Sequence, residues 1–136
     1  MTLVDTNVLL DVATDDPRFA EWSIGQLEAA SLAGPLLIND VVYAELSVRY
    51  ERRERLDEFV AAARLEFAAM PKDALFLAAK AFARYRNSGG ERAGVLPDFF
   101  IGAQAAVMKL PLLTRDKGRF ATYFPTVSLI TPPISA

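Results

Sequence analysis

Short apolar runs alternate along the chain with longer stretches in which apolar residues return every three or four positions. The first run, Thr2-Leu3-Val4, stops at Asp5. Over residues 7–13, Val8, Leu9, Leu10 and Val12 then follow a largely helical spacing, so strand, turn and helix are expected in that order. Asp15-Asp16-Pro17 interrupts the pattern. A second helix is expected over 18–33, with Phe19, Trp22, Leu27 and Ala30 near one face and Gly34-Pro35 as its stop. Leu36-Leu37-Ile38 is wholly apolar, as a strand covered on both faces would be, and Asn39-Asp40 supplies a cap for a helix carrying Val41, Val42, Ala44, Glu45, Leu46 and Val48. A charged segment, 49–58, leads into Leu56, Phe59, Val60 and Ala63 at helical spacing, and a short strand is expected over 65–69 before Pro71.

The second half repeats the alternation. Over 72–87, Leu75, Ala78, Ala79, Phe82 and Tyr85 form a helical stripe; 88–94 reads as a glycine-rich loop; and Pro97-Asp98 opens an apolar helix to about Lys109. Strands are expected at 112–114 and 127–130, before a proline-rich tail. Strands separated by helices call for crossover connections, hence an α/β fold of three layers with a mostly parallel central sheet. With 136 residues and no internal repeat or linker, the chain is expected to be one domain spanning 1–136.

Composition narrows the chemistry. The sequence has no histidine and no cysteine, which removes Ser-His-Asp and Cys-His nucleophiles, disulfides, and thiolate or imidazole metal sites. Fifteen Lys and Arg against 17 Asp and Glu give a net charge of −2, so a nucleic-acid partner would have to meet local patches of cations. The first residues have neither the basic nor the long apolar region of a secretory signal. The most apolar stretch, 96–113, is broken by Asp98, Gln104, Lys109 and prolines, so a cytoplasmic protein is expected.

In open α/β sheets the functional crevice lies beyond the carboxyl ends of the strands. Asp5 ends the first strand, Asp116 closely follows Leu112-Leu113-Thr114, Asp98 opens the buried helix, and Glu45 lies about one turn into the helix after Leu36-Leu37-Ile38. Gathered carboxylates suit Mg²⁺ or Mn²⁺, which take hard oxygen ligands and can lower the pKa of a bound water without any histidine. Each residue also has a plainer role. Asp5 or Asp98 could cap a helix, Glu45 could sit in solvent, and Asp116 could belong to a charged turn paired with Arg119.

Four segments, Leu3-Val4-Asp5-Thr6-Asn7-Val8-Leu9-Leu10-Asp11, Val42-Tyr43-Ala44-Glu45-Leu46, Pro97-Asp98-Phe99-Phe100-Ile101-Gly102-Ala103 and Leu113-Thr114-Arg115-Asp116-Lys117-Gly118-Arg119-Phe120, resemble in order and spacing the PIN-domain nucleases, specifically the VapC-type toxins of toxin–antitoxin systems. The resemblance implies a PIN-like fold and a metal-dependent endoribonuclease. Asp5, Glu45, Asp98 and Asp116 would surround one or two Mg²⁺ or Mn²⁺ ions, with Asp5 and Asp98 as direct ligands. Glu45 and Asp116 would act through water or a second metal position, and Asn7 and Thr114 would orient carboxylates and water. In-line attack by metal-activated water would leave a 5′-phosphate and a 3′-hydroxyl, whereas attack by the 2′-hydroxyl would leave a cyclic phosphate or 3′-phosphate.

A polyanionic substrate calls for nearby cations, and Arg115 and Lys117, with Arg119 beside them, are the candidates for RNA contact. Arg49, Arg52, Arg53 and Arg55 are offset by Glu51, Glu54 and Glu58, so that segment reads first as a solvated face. The resemblance also implies a homodimer and a cognate antitoxin whose carboxyl-terminal segment lies in an apolar groove near the site and can place a basic side chain among the acids. Phe19, Trp22, Leu9, Tyr43 and Leu46 are candidate groove residues. A haloacid-dehalogenase-like phosphatase would need a second Asp where Asn7 stands, and a receiver domain would need paired acids where Asp5-Thr6 stands. A non-catalytic PIN-like module and a housekeeping PIN nuclease are the remaining alternatives.

Overall fold

The computed structural model describes residues 1–90 and 95–133. Its elements are β1 (Thr2–Val4), α1 (Thr6–Ala13), α2 (Ala20–Ala33), β2 (Leu36–Ile38), α3 (Asp40–Ser47), α4 (Arg53–Ala62), β3 (Leu65–Phe67), α5 (Lys72–Asn87), α6 (Leu96–Met108), β4 (Leu112–Leu113), α7 (Gly118–Tyr123) and β5 (Leu129–Ile130). The strands form one sheet in the order β3-β2-β1-β4-β5, and every pair is parallel. Helices flank it to complete the three-layer α/β/α fold. Burial explains the unbroken apolar runs: Leu3, Val4, Leu37, Ile38, Leu112 and Leu113 all lie in the core. At the β3 edge this burial ends, and only Leu65 of that strand is covered.

Local capping moves several boundaries from those expected. Helix α1 begins one residue early, because Asp5 is its N-cap and the Thr6 amide donates to Asp5 Oδ1 at 2.7 Å. Helix α2 begins late: Asp16 Oδ1 accepts from the amides of Arg18 (2.8 Å) and Phe19 (2.9 Å), holding those residues in a turn. Helix α6 starts at Leu96 after Val95, so Asp98 stands inside the first turn and is not the cap. Helix α5 keeps its expected ends. Gly89 takes the positive φ of 98° that closes it, while the Gly90 amide returns to the Tyr85 carbonyl at 2.8 Å. Of the expected 88–94 loop, residues 91–94 lie outside those described. The strands expected at 65–69, 112–114 and 127–130 are each shorter in the structure.

Helix α7 has no counterpart in the hydropathy pattern, since six residues are too few to show a period. Its position depends on Gly102 of α6: a Cβ there would overlap the Phe124 ring and lie 3.1 Å from Phe120, so only glycine lets α7 approach this closely. A second device holds α3 against α6. Buried Asn39 caps α3 by accepting from the Val42 amide at 2.9 Å, and its Nδ2 donates to Gln104 Oε1 at 2.8 Å. Gln104 Nε2 in turn donates to the Ala68 carbonyl at 3.1 Å. Among the described residues no helix is long and apolar enough to cross a membrane.

Candidate active site

The strand order reverses between β1 and β4: β2 and β3 lie to one side of β1, and β4 and β5 to the other. Chain segments leave these two central strands in diverging directions and open a crevice at their carboxyl ends. Asp5 stands at the end of β1 and Thr114 just beyond β4, and the Asp5 amide donates to the Leu113 carbonyl at 2.9 Å.

Asp5 is only 4% exposed, yet both of its oxygens are used: Oδ1 by the Thr6 amide and Oδ2 by the Thr114 hydroxyl at 2.7 Å. Thr114 Oγ1 also accepts from the Asp116 amide at 3.0 Å and from Asn7 Nδ2 at 3.4 Å, so one hydroxyl ties together three candidate residues. Asn7 Oδ1 accepts from the Arg115 amide at 3.2 Å, closing a bridge between α1 and the segment after β4. Thr6, which hydropathy did not single out, donates from Oγ1 to Glu45 Oε1 at 2.6 Å and so brings α3 to the same end of the sheet. Asp98 reaches that end from the first turn of α6.

Electrostatics shows that these acids share one field. Burial, reinforced by the charges of Asp98 and Glu45, pushes the Asp5 carboxyl up to about 7, against the pull of its bonds from Thr114 and Thr6. Burial also raises Asp98, with Asp116 and Glu45 adding to the rise and Arg119 opposing it. Arg119 forms an ion pair with Asp98 Oδ2, in place of the Asp116–Arg119 pair that sequence proximity suggests. Among the described residues no three carboxylates converge closely enough to hold a metal ion as they stand. Glu45 is engaged by Thr6 and Asp98 by Arg119. The donor set nevertheless suits a hard divalent cation, because it is all oxygen, carries up to four negative charges and contains a carboxyl whose charge the protein alone stabilises poorly.

The cations are disposed unequally. Arg115 Nε lies 2.7 Å from Oδ2 of buried Asp11, and the guanidinium sits 4.2 Å from the centroid of the Phe19 ring. That contact is one of charge rather than an aligned hydrogen bond, since Nε has no partner in hydrogen-bonding geometry. Ser23 Oγ donates to the same Asp11 oxygen at 2.8 Å. Arg115 therefore braces α1 against the segment after β4, whereas Lys117 is exposed. At the start of α4, Arg52, Arg53 and Arg55 lie near Glu54, Asp57 and Glu58 at 3.8, 3.5 and 3.7 Å, all on the surface. Of the candidate groove residues, Leu9 and Leu46 are core side chains with no exposure, because the helical stripe they belong to faces the sheet. Phe19, Trp22 and Tyr43 remain partly accessible.

The family model of the PIN domain matches residues 2–123. The chain belongs to the PIN-domain family. This PIN domain resembles chains in the crystal structures of VapBC2 from Rickettsia felis bound to a promoter DNA fragment (TM-score 0.71, 19% identity, 96% of this chain and 97% of that one) and of FitAcB from Neisseria gonorrhoeae (0.67, 22%, 96% and 97%). It also resembles a chain of a toxin–antitoxin complex from Klebsiella pneumoniae, with TM-score 0.65 and 25% identity over 98% of both chains. No curated protein sequence matches it.

Proposed function

We propose that this PIN domain is the toxin of a toxin–antitoxin pair and acts as a divalent-metal-dependent endoribonuclease. The observation that carries the reading is the meeting of Asp5 and Thr114 at the switch point of the sheet, with Glu45, Asp98 and Asp116 acting on the same field. Asp5 and Asp98 would hold Mg²⁺ or Mn²⁺, with Glu45 and Asp116 completing the site directly or through water. Such an ion, when bound, acidifies water and offsets charge on the phosphodiester. The chain's own contribution is orientation. Thr114 aims Oδ2 of Asp5, Thr6 holds Glu45, and Asn7 ties the segment carrying Asp116 to α1. Lys117 is the free cation beside Asp116 for an RNA phosphate, while Arg115 serves mainly as a brace.

The toxin–antitoxin complexes among the similar structures support a cognate antitoxin as partner. An apolar groove of about 310 Å³ beside Glu45, lined by Val41 and Ala44 of α3 and by Leu96, Pro97 and Phe100 of α6, suits an apolar antitoxin segment. The family resemblance also supports a homodimer.

The test is cleavage of total cellular RNA by purified, antitoxin-free protein with Mg²⁺ or Mn²⁺, with EDTA and Asp98→Asn as controls, followed by mapping of the new ends. Discrete metal-dependent products with 5′-phosphates, absent in the variant, are expected. Metal-independent cleavage, or cyclic-phosphate ends, would overturn the chemistry. Folded protein that binds metal and cuts no RNA would point to a binding module.

A further inference from the structure

The acid cluster contains one internal cation whose role in the proposed reaction is not explained by substrate binding. Arg119 is the only lysine or arginine among the described residues that forms an ion pair with a member of the quartet, since Arg115 is committed to Asp11. We propose that Arg119 is a built-in counter-ion that competes with the divalent cation for Asp98, so that opening of the Arg119–Asp98 pair sets how tightly the site takes its metal. The inference rests on the metal-dependent reading above.

Three observations carry it. First, the pair places a positive charge directly on a proposed ligand. Arg119 holds Oδ2 of Asp98, and among the described residues no three carboxylates converge as they stand. A divalent cation taken up by Asp98 would meet that guanidinium at once, because both positive groups answer to the same carboxylate. Second, the pair can exchange: the two side chains are 25% and 26% exposed, so each can be rehydrated as the contact opens. A fully buried pair would be far costlier to break. Third, Arg119 is presented by a fixed platform. Its guanidinium lies 5.6 Å from the centroid of the Tyr85 ring, and α7 is seated on α6 through Gly102, Phe120 and Phe124. Tyr85, Phe99 and Tyr123 pack against one another with centroids 5.3 to 5.9 Å apart, so the released guanidinium keeps an aromatic face to rest on.

Removing the positive charge should therefore tighten metal binding, the opposite of what loss of a merely supporting residue would do. Titration calorimetry with Mn²⁺ on the antitoxin-free 136-residue chain, comparing wild type, Arg119→Gln, Arg119→Lys and Asp5→Asn, reads this directly. Arg119→Gln is expected to bind Mn²⁺ on the order of tenfold more tightly, as removal of one repelling charge a few ångströms away implies. Arg119→Lys should fall between it and wild type, and Asp5→Asn should lose binding. In wild type, the Nε resonance of Arg119 should shift on saturation with Mg²⁺, a readout that requires no variant to fold. Equal or weaker affinity in Arg119→Gln, or an Arg119 resonance indifferent to Mg²⁺, would overturn the proposal while metal binding that depends on Asp5 leaves the nuclease reading standing. Absence of Mn²⁺ binding in wild type, or binding untouched by Asp5→Asn, would overturn both.

Discussion

Asp5 caps α1 and lines the crevice at once: Oδ1 accepts from the Thr6 amide as the helix cap, and Oδ2, which accepts from Thr114, is the oxygen that the proposed ligand role would use. The combination is costly in the metal-free protein because burial and two neighbouring acids oppose ionisation. The consequence for stability has a definite sign. In the unfolded chain this carboxyl titrates near 3.8 and in the folded chain at about 7, so the fold binds the proton more tightly. The stability this supplies is complete below the lower value and is lost as pH rises through the upper one. Thermal melts of metal-free protein between pH 5 and 8 should show this loss. Asp5→Asn should flatten that part of the profile and be the more stable protein at pH 8, by on the order of a few kcal/mol, while abolishing RNA cleavage. A profile unchanged by the substitution would mean that Asp5 is already paired or hydrated when folded.

Among the elements, α3 and α6 deliver Glu45 and Asp98, and the polar contact between them inside the core is the hydrogen bond from Asn39, the cap of α3, to Gln104. Gln104→Leu should leave Asn39 Nδ2 and the Ala68 carbonyl without partners, costing about 2 kcal/mol in denaturant unfolding. Because both site-bearing helices lose their common reference, cleavage under substrate saturation should fall as well, even though Gln104 lies outside the crevice. Unimpaired cleavage in the destabilised variant would show that Thr6 alone suffices to place Glu45. Such links were not legible in the sequence, where Gln104 only interrupts an apolar stretch. Periodicity located α5 to the residue and every strand approximately, because buried runs and long stripes are local signals. Leu9 and Leu46, offered as groove candidates beside the resemblance, are core, since a stripe does not say which neighbour covers it. Periodicity missed α7, which is set by the contact of Phe120 and Phe124 with Gly102, and the plainer reading of Asp116 as a charged turn paired it with its sequence neighbour Arg119, which the fold brings to Asp98.

For the molecule as a whole, an all-parallel sheet with its reversal at β1 and β4 makes the site's position a consequence of topology, and the strand-end acids were readable for that reason. Charge is the weaker half of the design. A net charge of −2 gives no overall attraction for RNA, and the structure removes most local candidates as well. Arg115 is held by Asp11, and Arg52, Arg53 and Arg55 at the start of α4 each have an acid alongside. RNA binding should therefore involve few phosphates and depend only shallowly on salt. For a single-stranded substrate each phosphate contact contributes a slope of about −0.7 in log affinity against log salt. Binding of an uncleaved RNA to the Asp98→Asn protein, measured over a salt series, should give the slope of one to three contacts, on the order of −1 to −2. Adding Lys117→Ala should make that slope shallower by about 0.7, the signature of one lost phosphate. An unchanged slope would place the RNA backbone on another face, and the α4 arginines would then be the residues to neutralise next.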